Sequence, residues 1–272
     1  MSDLNTAQGE RRDKPRARGK LGNKEILNAV RDLVLQAGTC KVKDLAAKLN
    51  VSTVSIRKSL NELERQGIIQ RFHGEARIYT GDDIPFRMHL HYAEKQLIAS
   101  RAETLVEPGE TILLEAGSAI AMLAERIKKM QGLTVITTNI FIARIFRGSK
   151  VRIMVLGGLY QDESESLVGP SICKAIQTIG FSKAFIGVSG FTISDGFMLN
   201  DIARAEVTRT ILQRSLECKA KVWVLTDSSK FGVSHAAKIC SNLSPITGVV
   251  TDAGIPEDCR TYLESSGVRV LI

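Results

Sequence analysis

The sequence predicts an α/β protein of two domains: an N-terminal winged helix-turn-helix, then a C-terminal doubly wound parallel sheet. Three observations carry that prediction. Residues 41–78 hold two helical runs separated by a tight turn and followed by two strand-like runs around a glycine. From residue 108 onward, apolar runs of four to six residues alternate with segments of helical period, the pattern of a parallel sheet covered on both faces. Positive charge is gathered at the front. Residues 1–78 carry 16 Lys/Arg against 9 Asp/Glu and the remaining 194 carry 21 against 20, so nearly all of the net +8 precedes residue 79. A polyanionic partner needs such a concentration, whereas a uniformly basic chain would argue for solubility alone.

The first helical run holds Leu45, Ala46 and Leu49 at helical spacing and stops at Asn50-Val51. Ser52 is placed to cap the next helix, its hydroxyl satisfying an amide left open at the helix start. That helix, 53–66, offers Val54 or Ile56 with Leu60 and Leu63 for burial and ends at Gly67. Two helices joined by so short a turn are the pattern of a helix-turn-helix, whose second helix enters the DNA major groove, the plainer alternative being an ordinary helical hairpin over 41–66. Ser52, Thr53 and Ser55 are short enough to approach DNA closely, with Thr53 and Ser55 the candidates for base contact. Arg57 and Lys58 follow as phosphate partners. Residues 68–72 and 76–79 read as two strands about His73-Gly74, a wing in which Arg71 and His73 are further candidate DNA contacts.

Residues 1–22 are polar and basic, without the apolar centre of a signal peptide, and are expected as a disordered arm. Contact with phosphate and plain solubilisation are both open to it. No run approaches the roughly 18 apolar residues of a membrane span, and a cytoplasmic protein is expected. Cys40, Cys173, Cys218, Cys240 and Cys259 form no CxxC pair and share no metal-ligand spacing with His73, His89, His91 or His235. Buried free thiols, no metal and no cofactor are expected.

The pattern breaks at 79–93, where Gly81-Asp82-Asp83 is turn chemistry and Pro85 is expected to hold Ile84 extended. Helical period returns from Glu94, with Leu97, Ile98 and Ala102 on one face. The chain thus divides into an arm (1–22), a head (23–81), a junction (82–98) and an α/β domain (99–272). Strands are predicted at 111–115, 133–137, 151–156, 183–188, 221–226, 246–251 and 268–272. Helices fall at 119–130, 140–146, 170–178, 202–217 and 257–266. Ligands of such sheets bind beyond the carboxyl ends of the strands.

Several of those ends join small residues to polar ones: Glu115-Ala116-Gly117-Ser118, Thr137-Thr138-Asn139, Gly157-Gly158, Gly187 to Gly190 and Asp227 to Lys230. Glycine admits backbone amides to a ligand, helix starts favour anions, and Lys230 adds a cation. This suits a phosphorylated polyol or sugar, its phosphate on amides and Lys230, its hydroxyls on Glu115, Asn139 or Glu206. The candidate ligand residues are Glu115, Gly117, Ser118, Thr138, Asn139, Gly157, Gly158, Gly190, Glu206 and Lys230. Each alone has a plainer reading as a turn glycine, helix cap, solvated helix face or surface lysine. Their recurrence at successive strand ends raises the joint reading above these.

The segments VSTVSIRKSLNELERQGIIQRFHGEA, PFRMHLHYAEKQLIA, LLEAGSAIAMLA, TVITTN, VLGGLY, SLVGP, FIGVSGFTISDGFMLNDIARAEVTR and VLTDSSKFG occur in that order. With them, residues 23–272 resemble the DeoR family of bacterial sugar-metabolism regulators. The resemblance implies a transcriptional regulator, usually a repressor, that releases or rearranges on DNA when a phosphosugar binds. It also implies a second domain similar to ribose-5-phosphate isomerase and related sugar-phosphate enzymes. Three positions depart from the family pattern. Arg57-Lys58-Ser59 stands for Arg-Arg-Asp, His73-Gly74-Glu75 for His-Gly-Gly, and Glu115-Ala116-Gly117 for Asp-Ala-Gly. Glu75 near phosphate is unfavourable and is not expected on DNA.

Two functions follow. The first is a DNA-binding repressor of a carbohydrate-utilisation operon gated by a phosphorylated sugar, with activation open because operator position sets the sign. It is expected to be a homo-oligomer, dimer or tetramer, since two-fold related heads read half-sites about 34 Å apart. The junction 84–98 is the expected lever between ligand and head. The second is a sugar-phosphate isomerase with an accessory nucleic-acid domain, drawing proton-transfer groups from Glu115, Asp195, Glu206 and Lys230. A whole basic domain invested in DNA favours the first, and fold alone does not fix function.

Overall fold

The computed structural model describes residues 22–65, 69–72, 74–78 and 83–272. The arm through residue 21, the helix end at Gly67, His73 and the Gly81-Asp82 turn lie outside the described residues. The chain forms two compact units that divide after Ile78.

In the head, α1 (Asn23–Ala37) buries Ile26, Val30 and Val34, an i, i+4, i+8 stripe that turns one face of the helix to the core. Its first turn is closed by the Gly22 amide donating to Glu25 Oε2 at 2.8 Å. After β1 (Thr39–Lys41), α2 (Val42–Leu49) buries Val42, Leu45 and Ala46. Asn50 ends it at φ 52°, a left-handed conformation that asparagine tolerates better than most residues. Ser52 Oγ accepts the Ser55 amide at 3.1 Å and so caps α3 (Thr53–Arg65). Of the two residues offered for burial, Ile56 goes inside with Ser59, Leu60 and Leu63, and Val54 is 70% exposed. The wing strands β2 (Ile69–Phe72) and β3 (Glu75–Ile78) pair antiparallel. β1 adds to β3, giving the order β1-β3-β2.

The second unit begins with α4 (Ile84–His89) and α5 (Tyr92–Glu103). Then follow β4 (Thr111–Leu114), α6 (Ser118–Ile127), β5 (Thr134–Thr137), α7 (Ile140–Ile145) and β6 (Arg152–Val155). A hairpin, β7 (Leu159–Gln161) and β8 (Ser166–Val168), precedes α8 (Pro170–Thr178) and β9 (Lys183–Gly187). β10 (Gly190–Thr192) and β11 (Gly196–Leu199) lead to α9 (Ile202–Glu217), β12 (Lys221–Leu225) and β13 (Ala237–Cys240). β14 (Gly248–Val250), α10 (Glu257–Ser265) and β15 (Arg269–Leu271) close the chain.

Seven of these strands form one parallel sheet in the order β15-β14-β12-β9-β4-β5-β6. Strand residues alternate between faces, and here both faces are apolar. Leu113, Ile136, Ala184 and Ile186 join one core with residues of α8, α9 and α10. Ile112, Leu114, Val135 and Phe185 join another with residues of α5, α6 and α7. That is why the strands read as unbroken apolar runs. Chain order reverses between β4 and β9, because β5 and β6 extend the sheet on one side and β9 to β15 on the other. Such a switch point opens a crevice past the strand ends, the usual ligand position in this architecture.

The structure departs from the expectations at several places. The described part of the junction, 83–98, is helical and built into the second unit, with Ile84 and Ile98 buried in its core. Pro85 lies in the first turn of α4, where a missing amide costs nothing, rather than enforcing an extended Ile84. Leu97 is 62% exposed. The buried stripe of α5 runs Lys95, Ile98, Ala99, Ala102, and Leu97 lies one residue off it. The β7–β8 hairpin and the β10-β11-β13 sheet, which lie in stretches between the predicted strands and helices, were not expected. All five cysteines are free, but only Cys240 and Cys259 are buried.

Candidate functional site

The head presents α3 outward. Val54, Arg57, Lys58, Asn61 and Arg65 are exposed, and Thr53 and Ser55 half-buried. The Ser52 and Ser55 hydroxyls lie 3.0 Å apart, so the cap orders both at the helix start. Arg71 is held against α3, its amide donating to Glu64 Oε1 at 3.1 Å and its guanidinium to Asn61 Oδ1. Glu75 faces Lys41, Oε1 to Nζ 4.0 Å, which offsets its charge. Ser59, at the departure from the acidic family position, is buried.

The second unit's crevice starts at the loop after β4. Gly117, at φ 129°, adopts a backbone conformation that side chains disfavour, and α6 begins at the next residue. The opening amides of a helix lack helical acceptors and form its positive end. Around this start stand Gly187 and Val188 after β9, Thr226, Asp227 and Lys230 after β12, and Arg87, Lys95 and Arg204 from α4, α5 and α9. Four cations and one carboxylate therefore line the pocket.

Lys95 is only 5% exposed. Its Nζ donates to the carbonyls of Arg87 and Leu90, each at 2.6 Å, and stands 3.6 Å from Asp227 Oδ2. Burial pushes its pKa down to about 8 against the pull of Asp227, with Arg87 and Lys230 adding repulsion. Burial opposes ionisation of Asp227 too. The Ser229 hydrogen bond and the Lys95, Lys230 and His91 charges outweigh it and hold the carboxyl below its usual value. Asp227 also accepts the Ser229 amide at 3.2 Å, and Asp252 Oδ1 accepts the Ser228 amide at 2.7 Å, which fixes the turn bearing Lys230. Lys95 thus ties the α4–α5 turn to the pocket.

Of the predicted ligand residues, Gly117, Ser118 and Lys230 line this pocket. Glu115 does not line it: it is 2% exposed, with Oε2 accepting the amide of the lining residue Gly187 at 3.3 Å and Oε1 3.9 Å from Nε of the lining residue Arg204. The others are placed elsewhere. Asn139 caps α7 by accepting the Ile142 amide at 3.0 Å, and its Nδ2 donates to the Ser164 carbonyl at 2.8 Å and the Ser166 hydroxyl at 3.2 Å. Its amide group is fully used by the protein. Thr138 is buried, its carbonyl accepting the Leu167 amide at 2.7 Å. A Cβ at Gly158 would meet the Val168 oxygen at 2.5 Å, and one at Gly190 the Val233 oxygen at 2.2 Å, so packing demands both glycines. Gly157 is exposed at the end of β6, and Glu206 is exposed on α9.

Sequence reasoning missed Arg87, Lys95 and Arg204, and had Asp227 only as part of the strand end that bears Lys230. For α9 a signal existed: Arg204, Thr208, Ile211 and Ser215 follow its buried stripe, and Glu206 lies about 200° round the helix from Arg204. The four groups named for an isomerase are not assembled. Only Lys230 lines the pocket, and Asp195 pairs with Lys238 at 2.5 Å in the β10–β11 hairpin.

Comparisons with known proteins bear on both units. Residues 27–81 match the DeoR-like helix-turn-helix domain, and residues 90–253 the DeoR C terminal sensor domain. The lactose phosphotransferase system repressor of Staphylococcus epidermidis is 31% identical over 235 residues, covering 83% of this chain and 90% of that protein. The protein of the same name from Streptococcus mutans is 30% identical over 238 residues, 84% of this chain and 91% of that one. Among solved structures, ribose 5-phosphate isomerase A of Methanocaldococcus jannaschii aligns at 16% identity over 50% of this chain and 53% of that one, with a TM-score of 0.36, too loose to bear on function. With a head domain and a sensor domain both matched, and relatives spanning more than four-fifths of its length, the chain belongs to the DeoR family of helix-turn-helix transcriptional regulators.

Proposed function

We propose that the protein represses a carbohydrate-utilisation operon and that a phosphorylated sugar in the switch-point pocket controls its hold on DNA. The observation that carries this reading is four cations, Arg87, Lys95, Arg204 and Lys230, gathered about the start of α6. Helix-start amides and a lysine suit a phosphate dianion. Ser118 and Asp227 supply hydroxyl-binding groups beside them. Relatives named as repressors of a lactose phosphotransferase system support a carbohydrate target and a regulator rather than an enzyme. The protein is cytoplasmic on this reading, and a homo-oligomer, because paired heads double the base contacts on a two-fold operator.

A ligand switches the protein only through different affinity for its DNA-competent and incompetent states. The physical route from the pocket is Lys95, which joins Asp227 to the α4–α5 turn, and α4 follows the head in the chain. The lever is therefore a packed pair of helices. Replacing 84–98 by a flexible spacer would remove core residues Ile84 and Ile98 and so tests stability, not signalling.

Lys230→Ala separates sensing from DNA binding. Lys230 is half-buried with no part in either apolar core. The variant is expected to bind operator DNA as tightly as the parent and to lose its response to the sugar phosphate that releases the parent. Mobility shifts with and without that compound check this. An unaltered response removes Lys230 from the site.

A further inference from the structure

We propose that Val54 reads the 5-methyl group of a thymine in the operator and so specifies one base of each half-site. The inference rests on the DNA-binding reading above. Helix α3 buries Ile56, Ser59, Leu60 and Leu63. At about 100° per residue, the opposite direction belongs to Val54, Lys58, Asn61 and Arg65, all exposed. On that face two cations and an amide accompany a single isopropyl group.

Val54 lies in the first turn of α3, the part of a recognition helix that comes nearest the base edges. Folding does not require it there. The inward place in this turn is filled by Ile56, fully buried, while Val54, on the wall of the groove between α1 and α3, keeps 70% of its surface open. A β-branched side chain on a helix has essentially one rotamer. Its two methyls therefore point in a fixed direction and lose little entropy on contact. In the major groove the thymine methyl is the apolar feature among base-edge groups, and the other edges offer donors and acceptors. A valine pressed against those would strip their water and return no hydrogen bond, a net cost. Against a thymine methyl, the same contact buries apolar surface on both partners.

The test uses the full-length protein and the duplex it selects most strongly from a random pool. Each thymine is replaced in turn by uracil, which removes only the methyl and leaves base pairing intact. The parent is expected to lose about fourfold in affinity at one thymine per half-site, the worth of one buried methyl-sized group. Val54→Ala is expected to bind the thymine and uracil duplexes equally at that position, to match the parent at every other thymine, and to keep the parent's Tm. Val54→Thr, which retains one methyl, should fall between the two. Equal losses in parent and Val54→Ala at every position overturn the assignment, as does no loss anywhere in the parent. If the pool yields no preferred duplex, the DNA-binding reading fails and the inference falls with it.

Discussion

Full-length protein carrying Arg57→Ala and Lys58→Ala together is expected to lose about thirtyfold in operator affinity per head at 0.15 M salt. Each phosphate contact releases counterions, so affinity scales with salt to roughly the −0.9 power per contact, about fivefold at this concentration. The diagnostic is the slope. A plot of log affinity against log salt should flatten by about two units per bound head, and parent and variant should converge near 1 M. Both side chains are exposed on α3, so stability should be unchanged within about 0.5 kcal/mol. An unaltered salt slope would show that neither cation meets phosphate. Arg71 makes a useful contrast, because its guanidinium is already engaged by Asn61 and its replacement should affect the wing's attachment to α3 as well as DNA.

The second large effect is expected at Asp227. With its side chain 4% exposed and that of Lys95 6%, the pair is buried, and Asp227→Ala leaves a lysine facing the interior without its counterion. Breaking one side of a buried pair costs about 3 kcal/mol, roughly 6–12 °C in Tm for a unit of this size. The effect depends on pH in a defined direction. Lys95 holds its proton less tightly when folded, at about 8 against an ordinary 10.5, so the unfolded chain binds more protons between those values. The penalty from this lysine is complete below pH 8 and is relieved as pH rises through that window. Without Asp227 the pKa falls further and relief starts at lower pH. The deficit of Asp227→Ala relative to the parent should therefore be larger at pH 6 than at pH 9. Adding Lys95→Met to Asp227→Ala should restore part of the loss, because the stranded charge is gone. A variant as stable as the parent at pH 6, with no gain from Lys95→Met, contradicts the ion-pair account.

The sequence made the architecture readable wherever burial followed a simple period. Leu60 and Leu63 announced α3, Asn50 and Ser52 the turn before it, and runs such as Lys183 to Gly187 the central strands. The pocket was readable only where a strand end carried its own signature, as at Gly117-Ser118 and Lys230. Buried cations were invisible because lysine and arginine normally mark solvent faces. Lys95 and Arg204 lie on inward stripes, so their charge argued against the positions they occupy. Asn139 misled for a related reason. An asparagine before a helix serves equally as a cap or as a ligand group, and only the positions of Ile142, Ser164 and Ser166 show that the cap takes it. Leu97 shows the limit of period reading, since a shift of one residue moved an apolar side chain off the core of α5 and placed Lys95 within it.

The central claim is that one chain binds a specific DNA sequence and that an anionic sugar controls the binding. The most direct test is affinity of the purified full-length protein for the DNA upstream of its own gene, with and without a panel of pentose and hexose phosphates. The account predicts salt-sensitive, sequence-specific binding that one phosphorylated compound changes by tenfold or more, while the matching unphosphorylated sugar does nothing. Turnover of a panel compound by protein that shows no sequence preference on DNA would contradict it.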